Sequence, residues 1–129
     1  MDPRIALITI LTGDVPRLVR FYRDVLGFVV AQAMHSYVEF QSEGVRFSIC
    51  AREVMHEATG HDSFTFPASG QRFELAFPLP DAEAVDKTYE ELVARGATGI
   101  KEPANMPWNQ RAAFFADPDG NIHEIFADL

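Results

Sequence analysis

Alternation of apolar and polar residues predicts two strands joined by a tight turn near the end of the chain. The strands cover residues 114–116 and 122–126, and Asp117-Pro118-Asp119-Gly120 supplies turn-forming residues between them. In the second strand the alternation places Glu124 on one face and His123 on the other. Glu124 is therefore a carboxylate among apolar residues, and burying an unpaired charge is costly. Two interpretations stay open: a structural acid that is paired or lies on an edge strand open to water, and a ligand or catalytic group in a cavity.

The first half of the chain has the pattern of one strand, one helix and three further strands. The helix begins after the N-cap candidate Asp14, carries an apolar stripe and ends at Gly27. Strands are predicted over residues 5–11, 29–34, 36–41 and 45–50, with a turn at 42–44 before the last of them.

The second half repeats this pattern. A strand is predicted over residues 72–79, followed by the N-cap candidate Asp81 and a helix that ends near Gly96. The helical stripe of the first half recurs in the second, where Leu18, Tyr22 and Val25 correspond to Val85, Tyr89 and Leu92. A shared stripe, a shared cap and a shared strand pattern indicate an internal repeat.

The repeat predicts an α+β fold made of two tandem βαβββ modules within one domain of residues 1–129. Module 1 covers residues 1–52, a polar linker or flap covers 53–70, and module 2 covers 71–129. Strand alternation places Leu7 and Thr9 on the sheet face away from the first helix, and Glu74 on the same face of the second module. Because Gly44 matches Gly120, Ser48 corresponds to Glu124.

Composition narrows the possible partners. The chain has 129 residues, 47% of them hydrophobic, and a formal net charge of −8, which argues against nucleic acids and anionic membrane surfaces. A neutral or cationic small ligand is compatible with this charge. Cys50 is the single cysteine, so an intrachain disulfide is impossible, and the apolar run near the amino terminus is too short for a signal segment or a membrane span. We expect a cytoplasmic protein.

Four sequence segments together resemble the vicinal oxygen chelate superfamily, which contains glyoxalases, bleomycin-resistance proteins, fosfomycin-resistance enzymes and extradiol dioxygenases. The segments are Asp14 with Phe21-Tyr22-Arg23-Asp24-Val25-Leu26-Gly27-Phe28, Gly44-Val45-Arg46-Phe47, Asp81 with Tyr89 and Arg95-Gly96-Ala97, and Pro107-Trp108 with Phe114-Phe115-Ala116-Asp117-Pro118-Asp119-Gly120-Asn121 and Glu124. The resemblance implies two βαβββ modules whose sheets curl into half-barrels, a homodimer, and cavities made from both modules.

In the metal-dependent members of this superfamily, a divalent ion is held by four side chains from the first and last strands of the two modules. The resemblance puts these places on Leu7, Ser48, Glu74 and Glu124. Leu7 cannot coordinate a metal, and a serine hydroxyl is a poor ligand beside carboxylates and imidazoles. We therefore expect no cofactor, or a weakly held divalent metal on Glu74 and Glu124.

Further residues are candidates for contact with a ligand. Trp108 either lines a pocket, as an aromatic often does in the resembling family, or belongs to a rigid packed loop. The full ligand-binding set that we predict is Leu7, Thr9, Tyr37, Ser48, Cys50, Trp108 and Phe126. We expect His123 to pack on the helix side or the surface and not to bind metal, and His35, His56 and His61 to be solvated loop residues.

Two classes of function fit these observations. The first is a metal-free protein that binds a small aromatic molecule, neutral or cationic, without altering it. The second is a metal-dependent lyase or dioxygenase of the glyoxalase type in which Glu74 and Glu124 are the metal ligands or catalytic groups, or a metal-free enzyme in which they act as general bases. The predicted partners are a small molecule and a second copy of the chain.

Overall fold

Two four-stranded sheets with the same strand order organise the protein. The structure is a computed structural model that describes residues 1–129, in which residues 1–69 and residues 70–129 form two separate units. The first sheet has the order β1-β4-β3-β2 and the second has the order β5-β8-β7-β6. In both sheets the first strand runs parallel to the last, and the other neighbours are antiparallel. The predicted α+β fold and its internal repeat are therefore confirmed.

The first unit consists of four strands, two α-helices and two shorter helical segments. Its elements are β1 (Leu7–Thr12), α1 (Val15–Arg20), a π-helical turn (Phe21–Val25), β2 (Val30–Met34), β3 (Tyr37–Phe40), β4 (Arg46–Ala51), α2 (Arg52–Thr59) and a 3₁₀-helix (Asp62–Thr65).

The second unit repeats the strand–helix–three-strand sequence without the additional helices. Its elements are β5 (Ala76–Pro78), α3 (Ala82–Ala94), β6 (Thr98–Met106), β7 (Gln110–Ala116) and β8 (Ile122–Asp128). None of the helices in the protein is long and apolar enough to cross a membrane.

Both predicted N-caps are present. Asp14 Oδ1 accepts a hydrogen bond from the Arg17 N–H at 3.1 Å, and Asp81 Oδ1 accepts one from the Ala84 N–H at 2.8 Å. Each cap satisfies a backbone donor that the first helical turn leaves without a partner. The two helices therefore begin at equivalent points of the repeat.

The core of the first unit is an aromatic cluster. Tyr22 and Leu18 are fully buried, and the Tyr22 ring lies 5.2 Å from the Phe47 ring and 6.2 Å from the Phe28 ring, measured between centroids. The π-helical turn adds a residue to one turn of the helix, and Phe21, Tyr22 and Val25 within it are all buried. The predicted single helix is thus an α-helix that continues into a π-helical turn.

In the second unit α3 covers one face of the sheet. Ile125, Ala127 and His123 lie on that face and are at most 2% exposed. The hydroxyl of Tyr89 on α3 lies so close to Gly99 of β6 that a Cβ added at Gly99 would clash with it. Because Gly99, Phe115 and His123 share one row across the sheet, the helix side is the His123 face. Glu124 therefore lies on the face opposite α3.

The turn predicted from Asp117-Pro118-Asp119-Gly120 is held by the first aspartate. Asp117 is 3% exposed, and its Oδ1 accepts hydrogen bonds from the N–H groups of Asp119 and Asn121, both at 3.0 Å. Gly120 has φ 84°, a conformation that glycine adopts without strain. The carboxylate thus replaces part of the backbone hydrogen bonding of a tight turn.

Two segments differ from the sequence-based prediction. The strand predicted over residues 72–79 is limited to Ala76–Pro78, because the Leu75 N–H donates to the Nδ1 atom of His123 at 3.1 Å and does not join the strand ladder. The region predicted as a linker or flap, residues 53–70, contains most of α2 and the 3₁₀-helix. Neither helix has a buried residue, and the polar composition of the region, with Gly60, Pro67 and Gly70, had indicated a linker.

Candidate functional site

Glu124 is the most unusual side chain on the open face of the second sheet. It pairs in register with Phe114 of β7 and with Ala76 of β5, so all three side chains lie on the face away from α3. Glu124 is only 8% exposed, whereas Phe114 and Phe126 on the same face are half-buried. A nearly buried carboxylate is therefore flanked by aromatic surface that a ligand can contact.

Two hydrogen bonds of the Leu75 backbone bring Glu74 close to Glu124. The Glu124 N–H donates to the Leu75 carbonyl at 2.9 Å, while the Leu75 N–H donates to the His123 imidazole at 3.1 Å. Leu75 is thereby fixed beside β8 from both of its polar groups. Glu74, the preceding residue, is exposed, and its carboxyl group lies beside that of Glu124.

Three effects raise the pKa of the Glu124 carboxyl above its ordinary value. Burial is the largest, the negative charge of Glu74 is the second, and a hydrogen bond with Glu74 is the third. A hydrogen bond between two carboxyl groups requires that one of them is protonated. The pair therefore favours either a shared proton or a cation between the two groups.

The four places that the family resemblance assigns to metal ligands do not fit such a site. Leu7 is apolar and 37% exposed, and the buried Ser48 hydroxyl is hydrogen-bonded to the Thr9 hydroxyl at 2.8 Å. No group of three or more His, Cys, Asp and Glu side chains that could hold a metal ion is found in the protein. Glu74 and Glu124 are thus two candidate ligands without a third partner of these types.

Five of the predicted ligand-binding residues share one face of the first sheet: Leu7, Thr9, Tyr37, Ser48 and Cys50. The register pairs Thr9 with Ser48 and Ser48 with Glu39, and in the next row it pairs Tyr37 with Cys50. Ser48 and Cys50 are buried, whereas Thr9 and Tyr37 are half-buried. Burial raises the pKa of the Cys50 thiol, so this cysteine stays protonated and is a poor nucleophile.

The same face carries an ionic network that the sequence did not reveal. One oxygen of Glu39, Oε1, accepts hydrogen bonds from the Tyr37 hydroxyl at 3.0 Å and from Nε and Nη2 of Arg46 at 3.0 and 2.6 Å. The Arg46 bonds, followed by the Tyr37 bond, lower the pKa of the Glu39 carboxyl. One sequence feature could have placed Arg46 in this network. It lies two residues before Ser48, and this spacing puts both side chains on one face of the strand.

The remaining candidates lie outside these two clusters. Trp108 is 57% exposed in the turn between β6 and β7, so its ring is accessible to a ligand or a partner, and its role stays a prediction. His123 is fully buried, with its ring 6.2 Å from Phe77 and 6.0 Å from Phe115, which agrees with the expectation of packing on the helix side. His56 does not lie in a loop but on α2, where its Nε2 is 3.7 Å from Asp62.

Comparison with known proteins gives several matches over almost the whole chain. The sequence model of the Glyoxalase/Bleomycin resistance protein/Dioxygenase superfamily matches residues 4–125. The uncharacterized protein YraH of Bacillus subtilis (strain 168) is 32% identical over 126 residues, which cover 95% of this chain and 96% of that protein.

Two crystal structures are similar along the whole fold. A glyoxalase/bleomycin resistance protein/dioxygenase from Nocardioides has a TM-score of 0.89 and 31% identity, with 100% of this chain and 85% of the other covered. A family enzyme of the same description from Burkholderia phytofirmans PsJN has a TM-score of 0.86 and 28% identity, with 96% and 98% covered.

Proposed function

Because the chain belongs to the Glyoxalase/Bleomycin resistance protein/Dioxygenase superfamily, we propose that it binds a small aromatic molecule, preferably a cation, at Glu74 and Glu124 without chemically altering it. The observation that carries this proposal is the carboxyl pair, in which Glu124 is 8% exposed and has a raised pKa. The name of the superfamily includes bleomycin resistance proteins, and drug resistance by binding without chemical change is the kind of function proposed here.

The electrostatics of the pair favour a cationic ligand. Ionised Glu124 is destabilised by its burial and by the adjacent Glu74, and a positive charge placed beside both carboxylates relieves both effects. The carboxyl pair therefore gains more from a cation than an isolated exposed glutamate does.

The surroundings favour an aromatic body on that cation. Phe114 and Phe126 are half-buried on the sheet face that carries Glu124. Ala76, which pairs with Glu124 on that face, has a small side chain and leaves space above the sheet for a ring. An apolar ring covers these side chains and removes their surface from water. A cation near an aromatic face gains a further favourable interaction of about 0.5–2 kcal/mol.

Titration with benzyltrimethylammonium, and with benzyl alcohol as a neutral aromatic comparison, tests the proposal. Isothermal titration calorimetry on the full chain is expected to show tighter binding of the cation. Glu124→Gln and Glu74→Gln should each weaken it at least tenfold, whereas Glu83→Gln, which removes an exposed carboxylate from α3, should not. At a hundredfold excess over Kd, the cation should stabilise the fold by about 2.7 kcal/mol.

The pH dependence supplies a second criterion for the same site. Protonation of Glu124 removes the charge that attracts the ligand, and its raised pKa brings this loss to a higher pH than for an ordinary glutamate. The affinity for the cation should therefore fall as the pH is lowered. No binding of either compound, or equal binding by Glu124→Gln and the natural chain, contradicts the proposal.

The second candidate is a metal-dependent lyase or dioxygenase of the glyoxalase type, or a metal-free enzyme that uses the two acids as general bases. It is favoured by the proximity of the two carboxyl groups, since hard divalent ions bind carboxylate oxygens and keep water as their other ligands. Calorimetric titration with Mn²⁺ distinguishes it: tight stoichiometric binding that Glu124→Gln abolishes favours this candidate over the first. Methylglyoxal–glutathione lyase activity, measured with and without Mn²⁺, tests the reaction itself.

The assembly that we propose is a homodimer in a reducing compartment such as the cytoplasm. Phe73, Ile100 and Trp108 of the second unit are each between 48% and 57% exposed, and large apolar side chains of this kind gain free energy when a partner covers them. Cys50 is a buried free thiol, which fits a reducing environment.

A further inference from the structure

The first unit contains a pocket that involves none of the residues of the proposed site. It has a volume of about 230 Å³ and lies between the end of β1 and the segment formed by α2 and the 3₁₀-helix. Its walls are formed by Thr12, Gly13, Arg52, Glu53, His56, Phe64 and Thr65.

Arg52 is a charged residue of this pocket that lacks an ion-pair partner. Its side chain is half-buried, yet its guanidinium forms no ion pair, although six ion pairs involving other residues are present in the protein. A charge that is partly removed from water and not neutralised costs free energy. An anion at the guanidinium offsets this cost, so the pocket favours a negatively charged ligand.

Gly13 holds the guanidinium in place by being small. A Cβ added at Gly13 would lie 2.6 Å from Nη2 of Arg52, so the planar group rests directly on the Gly13 backbone. The φ angle of Gly13 is not in the left-handed region, and alanine is therefore compatible with the backbone there. A methyl group at this position displaces the end of the Arg52 side chain.

The start of α2 adds backbone donors to the same place. Arg52 is the first residue of this eight-residue helix, and the N-cap residue, Ala51, has no side chain that can accept a hydrogen bond. The N–H groups of the first turn thus lack a side-chain acceptor, and the positive end of the helix dipole lies at Arg52. Both features favour a bound anion, as the guanidinium does.

The acidic residues near the pocket do not neutralise Arg52. Glu53 lines the pocket but is exposed and forms no ion pair with the neighbouring guanidinium. Asp62 lies 3.7 Å from Nε2 of His56, and its side chain is 91% exposed. Phe64 is the aromatic member of the wall and is half-buried, so one ring of a ligand can lie against it.

We propose that this pocket binds a small organic carboxylate, with its carboxylate group on Arg52 and its ring against Phe64. Arginine presents two parallel N–H donors that match the two oxygens of a carboxylate. The volume of about 230 Å³ is smaller than the roughly 300–1,000 Å³ of pockets for drug-sized ligands, so a single-ring compound is the appropriate size. This site lies within residues 1–69 and is independent of the function proposed for Glu74 and Glu124.

Sodium benzoate is the probe that tests this site, and sodium phosphate is the comparison anion. Binding to the full chain is measured by calorimetry and by amide chemical-shift changes in the first unit. Benzoate should bind, with shifts at residues that line the pocket, and Arg52→Gln should weaken its binding at least tenfold. Arg52→Lys should lie between the two, because lysine keeps the charge but loses the paired donors.

Gly13→Ala provides a variant that keeps Arg52 in the chain. It should weaken benzoate binding at least fivefold, because the methyl group moves the guanidinium away from its position. Arg20→Gln is the matched control, since it removes the same charge from an exposed residue that does not line the pocket. Its affinity for benzoate should equal that of the natural chain, and the melting temperature of each variant verifies that it is folded.

Three results overturn the proposal. The first is the absence of benzoate binding, and the second is unchanged binding in Arg52→Gln or Gly13→Ala. The third is binding of phosphate as tightly as benzoate, which would mean that the pocket selects charge alone and that Phe64 makes no contribution.

Discussion

Acidification should destabilise the protein through one buried histidine, His123. Its ring is fully buried, and its Nδ1 atom accepts a hydrogen bond from the Leu75 N–H at 3.1 Å. Protonation of Nδ1 is incompatible with this bond, and it also places a charge in a buried site beside Phe77 and Phe115, with the Asp117 carboxylate 3.9 Å from Nε2. Burial accordingly lowers the pKa of His123, while the negative charge of Asp117 opposes that shift.

The direction of the pH effect follows from comparing the folded and unfolded chains. The unfolded chain binds a proton at His123 near the ordinary pKa of about 6.5, and the folded chain binds it only at lower pH. The stabilisation is therefore complete above pH 6.5 and is lost as the pH falls below that value. One proton gives a slope of at most about 1.4 kcal/mol per pH unit, and at most about 1 kcal/mol is lost between pH 6.5 and 5.5.

Urea denaturation at pH 7.5, 6.5 and 5.5 measures this effect in the natural chain and in His123→Asn. The asparagine Oδ1 can still accept the Leu75 N–H, but the side chain does not titrate. Glu124, whose folded pKa is raised, contributes stability that is lost as the pH rises through that value, so the comparison uses the difference between the two chains. The free-energy difference between the natural chain and His123→Asn should shrink by up to about 1 kcal/mol from pH 6.5 to 5.5.

His35→Gln is the control, because His35 is exposed and its replacement should leave the pH dependence unchanged. Parallel stability curves for the natural chain and His123→Asn would refute the reasoning. They would mean that folded His123 takes up a proton as readily as the unfolded chain does.

Two further predictions concern the turn and the assembly. Asp117→Ala should lower the free energy of unfolding by about 3 kcal/mol. Asp117 accepts hydrogen bonds from the Asp119 N–H, the Asn121 N–H and the Asn121 side chain, and each is worth about 1 kcal/mol. In the same urea titration Asp117→Asn, which keeps the Oδ1 acceptor, should lose less stability. Sedimentation equilibrium at micromolar concentration should give twice the chain mass of 14.4 kDa, and a single-chain mass contradicts the proposed homodimer.

The sequence predicted the fold well where local chemistry and periodicity acted together. Asp14 and Asp81 cap the two repeated helices, as their position before each apolar stripe indicated. The strand at residues 72–79 was predicted too long because alternation cannot show that a side chain, His123, takes up the N–H of Leu75. Helix α2 was not predicted because the polar composition of residues 53–70 indicated a linker or flap.

The candidate sites were predictable only in part, for a different physical reason. Glu124 was found because it is a carboxylate in an apolar strand pattern, and Glu74 because the internal repeat places it on the corresponding sheet face. The pocket at Gly13 and Arg52 depends on two residues that are distant in sequence and individually ordinary. Only the folded chain shows that the guanidinium rests on the glycine backbone without a counterion.

Equivalent positions of the repeat show how the two halves of one fold acquire different chemistry. Thr9 pairs with Ser48 in the first sheet, and Ala76 pairs with Glu124 at the corresponding place in the second. In the first sheet the two hydroxyls satisfy each other, with 2.8 Å between their oxygens. In the second sheet the alanine offers Glu124 no hydrogen-bond partner, and burial together with the charge of Glu74 raises the pKa of Glu124. The backbone register is the same in both, so the difference comes from the side chains alone. The position that requires a ligand or a proton is therefore Glu124, and the matching position at Ser48 requires neither.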